Sequence, residues 1–214
     1  MIVLLILIVL FMGYYKFKTN RDVIIRRSTE TNARMAILNR LYDMILDSAD
    51  EEGVKMFLIY GTLLGQHRNN KLICYDYDLD FGMNISDFNK IAPILKKKIK
   101  NYDDFTFNYK SFLDYKSIEI IHTDTRISAD IFVFYNVGTK VKRSVPSIYT
   151  IGMLGECKDE IDSSVLYPLK ETIFLSRPIY VPNKPEELLK CYYGDNFMTP
   201  DHSCNSDCSI CKKI

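Results

Sequence analysis

The amino-acid sequence predicts an α/β (α+β) protein in which a β-sheet is flanked by helices. Over residues 31–52 apolar side chains recur at helical spacing, and Gly53 follows as a stop signal. Residues 75–81 alternate strictly between large apolar and acidic side chains, which is the period of a strand with one buried face. Strand-like and helical patterns continue in turn to about residue 193, as expected for a sheet covered by helices.

The other elements are predicted from the same patterns. A loop-rich stretch at residues 142–167 gives no clear prediction. Pro168 and Pro178 limit the length of any strand in the apolar text of residues 166–181. We predict strands over residues 54–60, 105–109, 117–122 and 127–135, and helices from Ser86 or Asp87 to about residue 100 and over residues 185–193.

Length and charge limit the class of protein. A chain of 214 residues, 47% of them hydrophobic, can form one domain of ordinary size with appendages. The formal net charge of +1 provides no overall field that favours nucleic acid, so no nucleic-acid partner is predicted.

The amino-terminal segment resembles a membrane anchor. Residues 1–15 carry no charge, and an apolar run of 15 to 17 residues is at the short end of what crosses a bilayer, where about 17 is the lower limit. Neither the preceding positive charge nor the small-residue cleavage site of a signal peptide is evident. We therefore predict a single-pass transmembrane or signal-anchor helix over residues 1–17 and a basic juxtamembrane linker over residues 18–31. The positive-inside rule favours a cytoplasmic domain after it.

Three acids in the alternating stretch predict a metal site. On a strand Asp76, Asp78 and Asp80 would share one face, with alternate residues about 6.6 to 7 Å apart. Carboxylates at that spacing can hold one divalent ion or bridge two. Without a cation their charges would repel and raise their pKa values, and a hard ion such as Mg²⁺ or Mn²⁺ is the natural counter-charge.

The three spaced acids have two other interpretations. A solvated edge strand could simply present them to water. A calcium loop would have the three acids at its first, third and fifth positions and Asp87 at its twelfth. That loop requires glycine where this chain has Phe81, and a bidentate Glu at its end, which disfavours it.

A glycine-containing run precedes the acids and predicts phosphate contact. Gly61, Thr62 and Gly65 follow the predicted strand of residues 54–60, and glycine lets backbone N–H groups approach phosphate closely. No Gly-Lys-Ser/Thr follows, which excludes a P-loop. Arg68 and Lys71 are candidates to neutralise phosphate charge; otherwise they are solvated loop charges.

Asp130 is an acid within an apolar run, residues 127–135. Because a buried unpaired carboxylate is costly, Asp130 needs a metal, an arginine or hydrogen-bond donors. A metal site shared with the other acids and a structural ion pair with Arg126 are both open at this point. Glu119 and Asp124 are weaker candidates.

The chain resembles the LicD family in the run GTLLG at residues 61–65, in Arg68, in the spaced acids of residues 76–80 and in Gly82. That family includes bacterial phosphocholine transferases and fukutin-type transferases of sugar-phosphate groups, within the nucleotidyltransferase-fold superfamily. The usual family text has a further acid where this chain has Tyr77. The resemblance extends over about residues 32–200, which we take as the domain.

The resemblance implies a nucleotidyltransferase-like mixed β-sheet flanked by helices. It also implies a metal-dependent transferase that moves phosphocholine or a polyol phosphate from a CDP-activated donor to a sugar hydroxyl of a glycan or glycoconjugate. Asp78, Asp80 and Asp130 would be catalytic and would bind a divalent metal together with Asp76. Asp130, in its Asp-Ile-Phe setting, matches the family's third carboxylate, and a fukutin-like enzyme would face the secretory lumen.

Two alternative functions remain open at this point. A nucleotidyltransferase could use the same acids to move NMP to a small acceptor. An inactive, membrane-tethered module could keep the fold for glycan binding.

The Cys-rich tail, residues 201–214, has its own alternatives. His202, Cys204, Cys208 and Cys211 could form a structural Zn²⁺ site of Cys₃His type. Disulfides are the other possibility and would require an oxidising compartment.

Overall fold

The computed structural model describes residues 30–112, 115–144, 160–205, 208 and 211–214. The membrane anchor predicted over residues 1–17, and the linker apart from its last two residues, lie outside the described residues. Within those ranges, no helix has both the length and the apolar character needed to cross a membrane.

Helices and strands make up most of the described parts of the chain. The helices are α1 (Thr31–Glu52), α2 (Tyr60–Asn69), α3 (Ile85–Ile99), α4 (Ser163–Leu166) and α5 (Pro185–Tyr193). The strands are β1 (Phe57–Leu58), β2 (Asp78–Asn84), β3 (Phe105–Phe112), β4 (Tyr115–His122), β5 (Ser128–Val137), β6 (Lys140–Arg143), β7 (Glu160–Asp162), β8 (Lys170–Phe174), β9 (Arg177–Val181), β10 (His202–Cys204) and β11 (Cys211–Lys213).

One mixed sheet organises the domain. Its strand order is β3-β4-β5-β2-β1-β9-β8, and β6 with β7 extends it from β5. The pairs β2 with β5 and β1 with β9 are parallel, whereas β3 with β4, β4 with β5 and β1 with β2 are antiparallel. The predicted α/β class, with a mixed sheet flanked by helices, is therefore confirmed.

The hydrophobic core lies on one face of the sheet, under α1 and α3. Leu79 and Phe81 of β2 point to this face and are fully buried, as is Ile131 of the neighbouring β5. The Tyr42 ring of α1 stacks on Phe81 with 6.0 Å between centroids. Burying a side chain of this size stabilises the fold by about 1.5–3 kcal/mol, which fixes the apolar face of β2 toward the core. Because successive side chains of a strand point to opposite faces, the acids of β2 lie on the other face.

Helix α1 has the predicted bounds. Gly53 ends it in the left-handed conformation, with φ of 61°, and its N–H donates to the carbonyl oxygens of Ala49 and Asp50. On the exposed side Arg177 of β9 donates to Asp47 at 2.7 Å and to Asp50 at 2.9 Å, which joins the helix to the strand next to the sheet edge.

Two predictions about elements near the acids were wrong in detail. The strand predicted over residues 75–81 begins only at Asp78, because residues 74 and 75 form a turn closed by the Asp76 N–H, which donates to Ile73 O at 2.9 Å. The run at residues 61–65 is the beginning of α2 rather than a turn. Tertiary contacts stabilise this helix despite the low helix propensity of glycine.

Candidate active site

Three of the predicted acids share one face of two neighbouring strands. In the parallel register of β2 and β5, Asp80 lies directly opposite Asp130, and Asp78 lies opposite Ser128. Neighbouring strands are about 4.8 Å apart, so opposed side chains on one face come close together. The structure therefore brings Asp78, Asp80 and Asp130 to one place.

Asp76 reaches the same place from the loop before β2. A Cβ atom added to Gly61 would lie 2.8 Å from Asp76 Oδ2 and 3.5 Å from Asp80 Oδ2. The N–H of Gly61 donates to Asp80 Oδ2 at 3.2 Å. Two carboxylates thus converge on the first turn of α2, where the partial positive charge of the helix is favourable to them.

The electrostatics of this group call for a cation. Burial, followed by the charge of Asp78, raises the pKa of Asp76 well above its usual value. Burial raises the pKa of Asp80 in the same way, with the charges of Asp78 and Asp130 adding to it, while the Gly61 N–H and Arg143 oppose the rise. Buried like charges are unfavourable in the absence of a counter-charge. A set of carboxylate oxygens fits a hard divalent ion such as Mg²⁺ or Mn²⁺.

Thr62 connects the helix to the acidic strand. Its side chain is 2% exposed, and its Oγ1 accepts a hydrogen bond from the Asp80 N–H at 2.8 Å. The hydroxyl therefore fixes the backbone at one of the candidate metal ligands. The phosphate contact predicted for Thr62 stays a prediction.

Gly65 lies one turn further along α2, away from the helix N-terminus. A Cβ there would be 2.5 Å from the carbonyl oxygen of Lys71 and 3.2 Å from Ile73 Cγ1. Glycine is thus required for the loop between α2 and β2 to pack against the helix. Lys71 itself is exposed, and its N–H donates to Gly65 O at 3.4 Å.

Arg68 holds one wall of the site. Its Nε donates to the carbonyl oxygen of Phe197 at 2.7 Å, and its Nη2 donates to the same oxygen and to Thr199 O at 3.2 Å. The segment after α5 is thereby fixed over α2.

A cavity of about 450 Å³ opens between these elements. It has the size of a small-molecule site, and both polar groups and aromatic side chains line it. Burial raises the pKa of the Tyr193 hydroxyl, and the nearby charges of Asp80 and Asp76 add to the rise. Its lining includes Gly61, Arg68, Asp76, Asp78, Asp80, Tyr193, Asn196 and Phe197.

The tail is joined to the acidic loop by a disulfide. Cys208 is bonded to Cys74, two residues before Asp76, and Cys204 is bonded to Cys211 across the hairpin of β10 and β11. The His202 ring lies on that of Tyr75, with 4.2 Å between centroids. The tail therefore forms part of the surroundings of the acids.

The zinc site predicted from His202, Cys204, Cys208 and Cys211 is not the arrangement found. Zinc binds cysteine as thiolate, and all three of these cysteines are in disulfides. The sulfur atoms of Cys74, Cys204 and Cys211 lie within 4.8 Å of one another, close enough to share a metal ion only if reduced. The disulfide alternative is the one that the structure supports.

One residue of the site was missed from the sequence. Arg143, at the end of β6, has its guanidinium carbon 5.6 Å from the centre of the Tyr60 ring and 5.3 Å from that of Phe132. Its charge lowers the pKa of Asp80, against the larger effect of burial. The alternation in KVKR at residues 140–143 indicates a short strand, but the sequence that follows it is loop-rich and obscures this signal.

Comparison with known proteins identifies a family. The family model described as LicD/FKTN/FKRP, nucleotidyltransferase domain, matches residues 53–184. No curated protein sequence gives a significant match.

Two solved structures show a weak likeness. A crystal structure of ANT(2")-Ia in complex with adenylyl-2"-tobramycin is 13% identical, with 67% of each chain covered and a TM-score of 0.42. A solution structure of the antibiotic-resistance factor ANT(2'')-Ia is also 13% identical, with 73% of this chain and 71% of that chain covered and a TM-score of 0.44. At TM-scores this low, neither likeness supports an argument about this chain.

Proposed function

Because the chain belongs to the LicD/FKTN/FKRP family of nucleotidyltransferase domains, we propose that it is a metal-dependent transferase acting on a CDP-activated donor. It moves a phosphate-linked group, phosphocholine or a polyol phosphate, to a sugar hydroxyl of a glycan or glycoconjugate. The observation that carries the proposal is the convergence of Asp76 and Asp80 on Gly61, with Asp130 opposite Asp80 on β5.

The four acids hold the divalent ion in this proposal. Asp78, Asp80 and Asp130 are the catalytic ligands, and Asp76 completes the set. A bound Mg²⁺ or Mn²⁺ supplies stabilisation of the negative charge that develops on the transferred phosphate. One of the carboxylates accepts the proton of the attacking hydroxyl. Tyr193 and the segment held by Arg68 wall the cavity and limit the access of water.

We also propose that a single-pass anchor at residues 1–17 tethers the domain to a membrane, with the domain on the lumenal side. Disulfides form and persist in oxidising compartments, and the bonds of Cys74 with Cys208 and of Cys204 with Cys211 favour such a location. This argument outweighs the basic residues after the anchor, which by the positive-inside rule favour the cytoplasm.

Calorimetric titration tests the proposal. The full chain, kept in mild detergent, is titrated with CDP-choline and with CDP-ribitol, each with and without Mg²⁺. Metal-dependent binding of one donor is the expected result and identifies the group that is moved. Release of CMP on addition of a glycan acceptor then reports transfer.

Three results would contradict the proposal. A protein that binds Mg²⁺ but neither CDP donor would indicate a different nucleotide substrate, as in NMP transfer. Absence of metal binding by the folded protein would favour an inactive glycan-binding module. Transfer retained by a folded Asp80→Asn variant would remove the assignment of the acids.

A further inference from the structure

A second cavity lies on the other side of the acidic loop. It has a volume of about 720 Å³ and is bounded by the start of α1, the loop before β2 and the tail hairpin. Asp76 and Asp78 line it as well as the first cavity. The candidate metal ligands therefore lie between two cavities, the first beside α5 and this one, the tail-side cavity, beside β10 and β11.

Three basic side chains share the lining of the tail-side cavity with the acids. Arg34 of α1, His202 of β10 and Lys213 of β11 all line it. Tyr75 and Tyr77 add aromatic surface. A cavity lined by both candidate metal ligands and basic groups is suited to an anion that contacts a bound metal ion and a basic side chain.

Arg34 is the most buried of these three basic side chains. It is only 7% exposed. Its Nη2 donates to the carbonyl oxygen of Cys74 and to Thr31 Oγ1 at 3.3 Å. Its Nε, also buried, has no hydrogen-bond partner among the described residues. A buried donor without an acceptor is costly, and a bound anion would remove that cost.

Phosphate is the anion that matches this arrangement best. A guanidinium group presents N–H donors in a planar fork that fits the oxygens of a phosphate group. Arg34 is held at the cavity by its bond to Cys74, two residues from Asp76. Lys213 is exposed, lines the same cavity and supplies a second positive charge.

We propose that the tail-side cavity binds a phosphate group of the substrate, with Arg34 as its buried contact and Lys213 as its exposed contact. The proposal rests on the proposed function, because it assigns the two cavities to the two substrates of one transfer. The phosphate comes either from the diphosphate of the donor or from an anionic acceptor such as a phosphorylated glycoconjugate.

Binding of inorganic pyrophosphate tests the cavity directly. The full chain and its Arg34→Gln variant are titrated with pyrophosphate in the presence of Mg²⁺. Gln is polar but lacks the charge and the fork of the guanidinium group. Loss of one charge-assisted hydrogen bond should weaken binding by about tenfold or more. Arg40→Gln is the matched control, because Arg40 is on the same helix but pairs with Asp104 and does not line the cavity. The pyrophosphate affinity of this variant should equal that of the unaltered protein.

Two further variants keep the test decisive if Arg34→Gln fails to fold. Arg34→Lys keeps a positive charge but loses the fork, and Lys213→Glu reverses a charge on an exposed side chain. Each should weaken pyrophosphate binding, by a smaller factor for Arg34→Lys than for Arg34→Gln. Unchanged affinity in both would overturn the proposal.

Steady-state kinetics identify the source of the phosphate. A higher KM for the CDP donor in Arg34→Lys, with the KM of the acceptor unchanged, places the donor diphosphate in the tail-side cavity; the reverse places an anionic acceptor there. Pyrophosphate binding that depends on Arg34, in a protein without transfer activity, would contradict the proposed function and leave the cavity assignment intact. Transfer activity in a protein whose pyrophosphate affinity does not depend on Arg34 would contradict the cavity assignment and leave the proposed function intact.

Discussion

Asp80 of β2 and Asp130 of β5 lie directly opposite each other in a parallel strand pair, on the face of the sheet away from the hydrophobic core. The two neighbours of Asp80 on β2, Leu79 and Phe81, are fully buried on the other face. The alternation that builds the core therefore also sets the carboxylates together. Their mutual repulsion is a property of the fold, and it leads to the first prediction.

Asp80→Asn should stabilise the metal-free protein at neutral pH. The folded-state pKa of Asp80 is raised above its ordinary value of 3.8, so the folded state holds the proton more tightly than the unfolded state does. Stability is then lost as the pH rises from the unfolded pKa through the folded pKa. Without this carboxyl the Tm at neutral pH should rise by a few degrees, because about 1 kcal/mol moves the Tm of a domain of this size by about 2–4 °C.

Thermal unfolding in the presence of a chelator, from mildly acidic to neutral pH, measures this difference. The gain of Asp80→Asn over the unaltered protein should shrink toward acidic pH. Added Mg²⁺ should raise the Tm of the unaltered protein and leave that of the variant nearly unchanged. A variant less stable than the unaltered protein at neutral pH, with chelator, would contradict the expected repulsion.

Two glycine substitutions should distinguish a change in metal binding from a change in core packing. In Gly61→Ala the new Cβ lies 2.8 Å from Asp76 Oδ2, the movable end of a side chain, so stability should change by about 1 kcal/mol or less. Displacing a carboxylate ligand should nevertheless weaken Mg²⁺ binding by about tenfold or more. In Gly82→Ala the Cβ lies 2.2 Å from the buried ring of Phe57, and such overpacking should cost about 1–3 kcal/mol or more.

Urea unfolding and Mg²⁺ titration of the two variants give the comparison. The expected pattern is a stable Gly61→Ala with weak metal binding and an unstable Gly82→Ala. Normal Mg²⁺ affinity in Gly61→Ala would show that Asp76 and Asp80 do not need their close approach to the helix.

Thr62→Val should destabilise the domain through a single hydrogen bond. Valine has a similar shape but cannot accept the bond from the Asp80 N–H, which is 2.8 Å long in the structure. A buried donor left without an acceptor costs about 1–3 kcal/mol. Thr62→Ser keeps the hydroxyl and loses one methyl group, at about 0.8 kcal/mol. Hydrogen exchange of the Asp80 amide should be faster in Thr62→Val alone, and equal protection in both variants would exclude the bond as the cause.

The two tail disulfides should contribute unequally to stability. Cys74 and Cys208 are 134 residues apart, whereas Cys204 and Cys211 are 7 apart. Loop entropy gives about 5 kcal/mol for the first and about 2 kcal/mol for the second. Urea unfolding of the two double Cys→Ala variants, without reductant, should therefore show a larger loss for the long-range pair. Equal losses would mean that the tail is held mainly by its non-covalent contacts.

Local patterns were sufficient where an element is long and ends at a strong signal. The helix Thr31–Glu52 was predicted with its observed bounds, because its apolar spacing is regular and Gly53 adopts the left-handed conformation. Pro185–Tyr193 was predicted equally well, with proline in its first turn. The family resemblance from residues 61–82 is confirmed by the match over residues 53–184.

Local patterns failed where distant contacts decide the conformation. Tyr75 has the apolar character of a strand residue, but it lies in a turn against the His202 ring of the tail. The glycines of α2 resembled a turn, whereas they lie in a helix in which Gly61 and Gly65 each face a neighbour too close for a side chain. Arg34 and Arg143 reach the acids only through helix packing and strand pairing, which no local pattern encodes. The connectivity of the cysteines likewise could not be derived from their spacing.

The bond between Cys74 and Cys208 also sets an order of events during biosynthesis. The ribosome makes the strands of the central sheet, through Val181, before it reaches the tail. Only after Cys208 has been translated and oxidised can the acidic loop receive its covalent attachment and the second cavity its outer wall. A nascent chain with a folded sheet therefore still lacks a finished site, and oxidation of the long-range cysteine pair is the last step of its assembly.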